Sequence, residues 1–399
     1  AGADAVAATG SVGPLIAEGR YAEAMAVRGH SFVQMHRAFL GLSEAPPAAR
    51  TARRRIGILH CGGVAPGMNA AAQAFVRLGL DRGHEVVGVR GGFPGLLRGE
   101  VTTLSWPDIE GWVRESGSHL GTRRTVPAAE DLEGLAAAIG AHALDALVVI
   151  GGLNAYRALD LLHADRERHP AFALPIVAVP CSIDNNLPGL QMAIGADTAL
   201  NVAVQAVDRI KRSATLDPRA FVVEVTGRTC GFLALTAGVA AGAERVYLNE
   251  EGISLGMLAA DIARMRADFA DGQELWLALR NEEASGIYTI DLLTRMFEAE
   301  SQGAFSVRGE VLGHIQQGGA PSPFDRVTSV RLASGAMAWL DAELDAGGAG
   351  HHCVRSRPVA RSTRAPRSAT GRVPSGVAKT TIWPRSRSTR QETAASVGS

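Results

Sequence analysis

The sequence predicts an α/β protein with two doubly wound lobes and mainly parallel sheets. Two observations indicate this fold class: short β-branched runs bounded by Gly or Pro, with helical segments between most of them, and the continuation of this alternation through the second half of the chain. Because the runs are apolar throughout rather than alternating, we expect strands that are buried on both faces.

The composition is typical of a soluble globular protein. The chain has 399 residues, of which 46% are hydrophobic and 20% are charged. No run approaches the roughly 18 consecutive apolar residues that a membrane-spanning helix needs, and no secretory signal precedes the first helix. The four cysteines lie far apart without a CxxC pair, which indicates neither a zinc site nor a disulfide framework. We therefore expect a cytoplasmic protein with no membrane contact.

An N-terminal helical segment is predicted to precede the first lobe. Residues 1–54 are predicted to form a helical segment and linker, with amphipathic helices over 14–30 and 31–42 and a Pro/Ala/Arg-rich stretch after them. The first lobe is expected over residues 55–195. Its predicted strands cover residues 56–60, 85–89, 146–150 and 176–180.

The second lobe is expected over residues 196–315, with residues 316–345 returning to the first. Its predicted strands cover residues 220–225, 274–279 and 309–315. The predicted helices of this half cover residues 198–214, 230–243, 289–299 and 325–344.

A basic tail follows an acidic body, although the formal net charge is zero. Residues 351–399 carry nine Arg and one Lys against Glu392 alone. With few large apolar residues, the segment cannot offset the entropy of ordering, so residues 346–399 are predicted to be disordered. The tail has one aromatic residue, Trp383, and no periodicity, which argues against nucleic-acid binding. The abrupt change of composition suggests, as a hypothesis, a reading-frame change in the coding DNA.

Loops that follow predicted strands hold the candidate binding residues, since ligands of open parallel sheets collect outside the carboxyl ends of the strands. The segment CGGVAPGMN (61–69) places Gly62 between a strand and a helix start, where backbone N–H groups can face an anion. Glycines there also suit plain tight turns. The segment matches neither GxxxxGKS/T nor GxGxxG, so a Walker loop and a nicotinamide-dinucleotide fold are not favoured.

Three more loops carry polar side chains at strand ends. SGSHLGTRR (116–124) ends in Arg124, IGGLNAY (150–156) includes Gly152 and Asn154, and PCSIDNNLPG (180–189) includes Ser182 and Asp184. An Asp in such a loop is either a turn-capping residue or, beside a phosphate loop, a general base or metal ligand. The residues alone leave these roles open.

Arginines flank the predicted strands of the second lobe. Arg219 and Arg228 lie on either side of one strand, and Arg308 and His314 are predicted before and at the end of another. Because guanidinium groups bind phosphate through paired N–H donors, this pattern favours a small phosphate ester as the substrate. His314 alone is interpreted as a turn or hydrogen-bonding residue.

Together and in this order, the loops resemble the 6-phosphofructokinase family from about Arg55 to Leu344. The resemblance is carried by GGVAPGMNAA, IGGLNAY, IDNN, IGADTALN, VVEVTGRTCG, VLGHIQQGG and PFDR. Three segments are similar to the C-terminal half of the double-length eukaryotic-type enzymes: QQGG, LRNE at 279–282 and RGHSFVQMHRAF at 28–39. The resemblance implies a phosphofructokinase-like fold and a piece of a tandem protein.

The resemblance also implies transfer of the γ-phosphate of ATP, with Mg²⁺, to the 1-hydroxyl of fructose 6-phosphate. Asp184 matches the catalytic base, and Arg228 matches the group that stabilises the transferring phosphoryl charge. The implied substrate-binding residues are Ser182, Ile183, Arg219, Thr226, Gly227, Glu282, Arg308, His314 and Gln317. The implied nucleotide-binding residues are Gly62, Arg124, Gly152 and Asn154. Because Arg219 and Arg308 match residues supplied by a neighbouring subunit, a homo-oligomer or a tandem N-terminal half is expected.

Several positions depart from the family pattern. Leu153 stands where an Asp normally helps to bind Mg²⁺, and leucine cannot coordinate a hard cation. Val64 and Asn186 each replace an Asp, and Gln317 replaces an Arg. No metal ligand is therefore assigned. The pyrophosphate-dependent branch is not favoured, because its GGDDS wording and the Lys before the catalytic loop are absent.

Two functions stay open. An ATP-dependent phosphofructokinase is indicated by Asp184 and Arg228, and the lost carboxylates predict weak activity. A regulatory half that binds a fructose bisphosphate effector without catalysis is indicated by Leu153 and Gln317. Because an effector site has no need of a base, Asp184 makes the kinase the preferred interpretation.

Overall fold

The structure is a computed structural model, and it describes residues 10–43, 53–213 and 217–353. Residues 44–52 of the predicted linker, which covers 44–55, lie outside the described residues, and so do residues 354–399 of the predicted disordered tail. Two largely parallel sheets with helices packed on them form the described part, so the predicted α/β class is confirmed.

A seven-stranded sheet forms the first lobe. Its strands are β1 (Arg55–Cys61), β2 (Glu85–Val89), β3 (Val101–Thr103), β4 (Thr122–Arg123), β5 (Ala146–Gly151), β6 (Ile176–Pro180) and β11 (His351–Cys353). The order is β11-β6-β5-β1-β2-β3, with β4 paired to the end of β1. All pairs are parallel except β2 with β3. The central strands are buried on both faces, which explains their continuous apolar runs.

The second lobe contains a four-stranded, wholly parallel sheet. Its strands are β7 (Arg219–Val225), β8 (Arg245–Tyr247), β9 (Leu275–Asn281) and β10 (Ser306–Val311), in the order β10-β7-β9-β8. The predicted strand over 309–315 is corrected: it begins at Ser306 and ends at Val311, because Gly313 opens a 3₁₀ turn over Gly313–Gln317. Arg308 therefore lies inside the strand, and His314 lies in the turn that follows it.

Helices cover both sheets, and in the described residues none is long and apolar enough to cross a membrane. Those of the first half are α1 (Val12–Ala17), α2 (Tyr21–Val27), α3 (His30–Ser43), α4 (Met68–Asp81), α5 (Gly92–Leu97), α6 (Leu132–Ala141) and α7 (Leu153–Ala164). Those of the second half are α8 (Ala196–Arg212), α9 (Phe232–Ala241), α10 (Leu255–Ala270), α11 (Ile290–Glu300) and α12 (Pro323–Ala346).

Two sequence expectations need correction. The helix predicted over 14–30 is two helices, α1 and α2, because Gly19 adopts a positive φ of 73° between them. Residues 346–353 are not disordered: residue 346 ends α12, and residues 351–353 pair as β11 with the start of β6. A short edge strand of this kind carries too few residues to give a periodic signal.

One hydrophobic core joins the two lobes. It contains Ile58 and Val148 from the first sheet and Phe221 and Leu277 from the second, together with apolar faces of α4, α8, α9 and α12. Helix α12 lies against α4, where the Ser329 hydroxyl donates to the Gly67 carbonyl oxygen at 3.3 Å. The outer face of each sheet packs against its own set of helices.

A buried carboxylate connects α12 to α8. Asp325, in the first turn of α12, is completely buried. It accepts hydrogen bonds from the amides of Gly195 (2.9 Å) and Thr198 (2.8 Å) and from the Thr198 hydroxyl, so it caps the N-terminus of α8 from another helix. Burial raises the pKa of Asp325, and the hydrogen bonds from Thr198 and Gly195 oppose that rise.

We expect Asp325→Ala to lower the free energy of unfolding by about 3 kcal/mol, because three buried donors lose their acceptor. Urea unfolding followed by circular dichroism measures the loss. The control is Asp291→Ala, which removes an exposed acid from the first turn of α11 and should cost less than about 1 kcal/mol. Equal losses in the two variants would contradict the capping role of Asp325.

Candidate active site

Three strands of the first sheet end at one point. A Cβ atom on Gly62, after β1, would lie 3.7 Å from the amide nitrogen of Gly152, after β5. A Cβ atom on Gly152 would lie 3.4 Å from the Cβ of Ser182, after β6. Gly62 has a φ of 113°, a conformation that favours glycine. The sequence-predicted residues Gly62, Gly152 and Ser182 are therefore neighbours.

Arg124 lies beside this junction. A Cβ atom on Gly63 would lie 3.5 Å from the Arg124 guanidinium, and the Asn154 side chain donates to the Arg124 carbonyl oxygen at 2.6 Å. Gly152 is also the N-cap of α7, so the positive end of that helix lies at the same junction. We call Gly62, Gly63, Gly152, Arg124 and the start of α7 the phosphate cradle, because amides, a helix N-terminus and a guanidinium all suit an anion.

The loop after β6 carries Asp184. The Ser182 hydroxyl accepts the Asp184 amide at 3.3 Å, and the side-chain oxygen of Asn185 accepts the Ala193 amide at 2.8 Å. Asn185 has a φ of 50°, which an Asn tolerates better than most residues. Ile183 is 5% exposed and belongs to the shared core, so its side chain is not available to a ligand.

The turn over residues 226–228, here the Arg228 turn, is held from two other strand ends. One carboxylate oxygen of Glu282 accepts the amides of Gly227 (3.0 Å) and Arg228 (2.7 Å). The side-chain oxygen of Gln316 accepts the Thr226 amide at 3.0 Å. Arg228 has a φ of 50°, a conformation that costs a non-glycine residue roughly 1–2 kcal/mol. These three hydrogen bonds stabilise the turn against that cost.

Glu282 is itself fixed by a buried arginine. Arg280 is 2% exposed and is paired with the Glu224 carboxylate. It also donates to the carbonyl oxygens of Glu282 (2.9 Å), Ser285 (2.6 Å) and Tyr288 (3.2 Å). A guanidinium satisfied in this way fixes the backbone around Glu282, so its carboxylate reaches the Arg228 turn from a rigid support.

The pKa of Asp184 is affected by burial and by charged groups of both lobes. Burial raises the pKa of this carboxyl group above its ordinary value of 3.8. The positive charges of Arg228, from the second lobe, and Arg124, from the cradle, oppose the rise, and the negative charges of Glu282 and Glu283 support it. Asp184 is therefore a half-buried carboxylate whose ionisation is affected by charged groups of both lobes.

Four predicted residues lie apart from this group or only at its margin. Arg219 is the first of the seven residues of β7, about 20 Å of strand away from the Arg228 turn. Arg308 lies in the neighbouring strand, opposite Phe221, and its guanidinium donates to its neighbour's carbonyl oxygen. Within one chain, neither arginine meets Asp184. His314 and Gln317 lie in the 3₁₀ turn after β10, exposed and half-buried respectively.

The side chains at the cradle do not make a Mg²⁺ site held by the protein. Leu153 begins α7, and Asn186 supplies an amide where a carboxylate would be needed. In the part of the chain that the structure describes, no group of three or more His, Cys, Asp or Glu side chains could hold a metal ion. An anionic polyphosphate, by contrast, fits the amides and the guanidinium of the cradle.

Sequence reasoning missed Gln316 and singled out its neighbour Gln317. Gln316 is completely buried and touches the Arg228 turn, whereas Gln317 is half-buried. The motif gives no indication of which of two adjacent glutamines points inward, because that depends on the 3₁₀ turn. The buried Arg280 was missed as well, although a charged residue inside the apolar run LWLALRN could have drawn attention to it.

The chain matches the family model described as "Phosphofructokinase" over residues 55–340. The chain belongs to the phosphofructokinase family. The matched region contains β1 to β10 and most of α12, with β11 outside it, and it starts at Arg55, where the resemblance noted from the sequence starts. The described α1–α3 precede it.

Two similar proteins come from eukaryotes. The chain is 39% identical over 330 residues to the platelet-type ATP-dependent 6-phosphofructokinase of Mus musculus, covering 82% of this chain and 42% of that protein. It is 40% identical over 354 residues to ATP-dependent 6-phosphofructokinase 1 of Aspergillus oryzae, covering 85% and 45%. The chain thus spans less than half the length of these relatives.

A solved structure shares the architecture. The phosphofructokinase structure from Saccharomyces cerevisiae matches with a TM-score of 0.83 at 36% identity, covering 88% of this chain and 49% of that one. The Pichia pastoris phosphofructokinase in the T-state matches with a TM-score of 0.82 at 35% identity, covering 86% and 40%. The expected phosphofructokinase-like fold is therefore confirmed.

We expect Asp184→Asn to raise the free energy of unfolding at pH 7 and to give no gain near pH 3. The folded-state pKa lies above the unfolded value of 3.8, so ionisation at neutral pH destabilises the fold, and this cost vanishes once both states are protonated. Thermal unfolding at the two pH values measures the difference.

The control is Asp108→Asn, because hydrogen bonds from Ser105 lower the pKa of Asp108. Its ionisation stabilises the fold at neutral pH, so this variant should lose stability at pH 7. A loss at pH 7 in Asp184→Asn as well would contradict the raised pKa of Asp184.

Proposed function

We propose that this chain catalyses ATP-dependent phosphorylation of fructose 6-phosphate, with Asp184 as the general base. One observation carries the proposal: a half-buried carboxylate with a raised pKa lies in the combined field of Arg124 and Arg228. The family membership and the relatives named ATP-dependent 6-phosphofructokinase support the reaction type.

The proposed roles follow from what phosphoryl transfer requires, which is positioning and charge neutralisation rather than covalent help. The cradle would hold the polyphosphate of ATP through its amides and Arg124. Asp184 would accept the proton of the sugar hydroxyl as that oxygen attacks phosphorus, and a raised pKa makes it the stronger proton acceptor. Arg228 would stabilise the negative charge on the transferring group.

Thr226, Gly227 and Glu282 would line the sugar side of the site. One oxygen of Glu282 already accepts two amides of the Arg228 turn, which leaves its other oxygen to accept a sugar hydroxyl. Ser182, His314 and Gln317 complete this side in the proposal. Ile183 would contribute through its backbone alone.

Arg219 and Arg308 would serve a neighbouring subunit. They lie at the start and in the middle of two paired strands, far from Asp184 of the same chain, and Arg308 is exposed. A phosphate held by these guanidinium groups would belong to the substrate of a second copy or of a tandem half. This arrangement accounts for two phosphate-binding side chains that their own active site cannot use.

We expect Asp184→Asn to lower kcat by about 10²–10⁴-fold, because the variant cannot accept a proton. A coupled assay with ATP, Mg²⁺ and fructose 6-phosphate measures the rate. In the wild type, the rate should fall as the pH drops through a pKa above 3.8. The control is Asp291→Asn, on the exposed surface of α11. Unchanged turnover in Asp184→Asn would overturn the proposed base.

A second candidate is a regulatory half that binds a fructose bisphosphate without catalysis. Two side chains without a carboxylate favour it: Asn186 leaves Asp184 as the one acid of the loop over residues 182–186, and Leu153 supplies no oxygen at the start of α7. Calorimetric titration with fructose 2,6-bisphosphate, alongside the coupled assay, separates the candidates. Tight bisphosphate binding with no turnover supports the regulatory half, and absent sugar-phosphate binding contradicts both.

We expect Leu153→Asp to tighten binding of Mg²⁺ with ATP by about tenfold or more, because a carboxylate replaces a side chain without an oxygen ligand. Calorimetry with Mg²⁺ and ATP measures the affinity. The matched control, Leu153→Asn, adds a polar group without charge and should give a smaller gain. Equal affinities in wild type and Leu153→Asp would contradict the assignment of position 153 to the nucleotide side.

A further inference from the structure

We propose that Gln316 is a positioning residue that holds the Arg228 turn, and through it Arg228, in the conformation that it has beside the loop of Asp184. Its catalytic consequence rests on the function proposed above, whereas its effect on the turn does not. Gln316 binds the first amide of the turn, and Glu282 binds the two that follow. Three successive N–H groups thus donate hydrogen bonds to side chains that follow β9 and β10, the two strands that flank β7.

The turn needs such support because its backbone is strained. Gly227 has a φ of 147° and Arg228 has a φ of 50°. Two successive residues therefore have positive φ values, which residues other than glycine rarely adopt. Without an acceptor for the Thr226 amide, the turn loses one of the three hydrogen bonds that stabilise it, at its first residue. Relaxation of Arg228 towards negative φ would redirect its side chain and so change its position relative to Asp184.

The surroundings of Gln316 indicate a role beyond packing. Its side chain is completely buried, yet its Nε2 has no hydrogen-bond partner within the described residues. The hydroxyl of Thr226, within the turn, and the side-chain oxygen of Asn281, beside it, are also buried without a hydrogen-bond partner among the described residues. A core selected for stability alone would place apolar side chains here, because unpaired buried polar atoms are costly. Gln316 is therefore explained by the one hydrogen bond that it makes.

The test compares Gln316→Met, which keeps the length but removes the acceptor, with Gln316→Glu, which keeps an acceptor oxygen. In Gln316→Met, we expect amide hydrogen exchange at Thr226 to accelerate at least about tenfold and kcat to fall about 10–100-fold, with KM for ATP within about twofold. Gln316→Glu should restore slow exchange and most of kcat.

The control is Gln273→Met. Gln273 is half-buried and hydrogen-bonded to Glu244 and Leu275 at the opposite end of β9, so its loss should lower stability without changing kcat or exchange at Thr226. This control separates general destabilisation from loss of the Thr226 contact.

Unchanged exchange at Thr226 in Gln316→Met would overturn the proposal, and so would faster exchange with an unchanged kcat. If the wild type has no turnover, the proposed function fails, and the exchange measurement alone decides whether Gln316 holds the turn.

Discussion

The loop that carries Asp184 is fixed at its far end by a carboxylate that belongs to another helix. Asp325 caps the N-terminus of α8 from the first turn of α12, with its charge fully buried. Because α12 also packs on α4 of the first lobe, this cap holds the second lobe's first helix against the first lobe. The loop that it anchors borders the phosphate cradle at Ser182, and the carbonyl oxygen of Asn185 in this loop accepts the Cys230 thiol, just after the Arg228 turn, at 3.8 Å.

The candidate site concentrates its chemistry in one acid and two arginines drawn from different sheets. Burial raises the pKa of Asp184, and the positive charges of Arg228 and Arg124 oppose that rise. Leu153 and Asn186 are neutral, so they add no negative charge to that of Asp184 and Glu282. Neither side chain offers a carboxylate to a metal ion.

Most of the fold could be predicted from the sequence, because buried parallel strands form continuous apolar runs that are easy to recognise. Strands β2 and β6 have the predicted bounds, whereas the edge strands β3, β4 and β11 are too short to be detected. The positions of Gly62, Gly152 and Asp184 were predictable from their places at strand ends. The distance of Arg219 from Asp184 could have been expected from the length of β7, but the inward direction of Gln316 could not, since it depends on the turn that follows β10.

The short strand β11 shapes the edge of the first sheet. It pairs with Ile176, Val177 and Ala178 and so covers the backbone of β6 that would otherwise be an open edge. The last residue of β6 is Pro180, which has no N–H to offer to another strand. Three paired residues and one proline thus leave few free groups on β6 to which a foreign chain could attach, and this protects the strand that presents Asp184 from aggregation by edge-to-edge pairing.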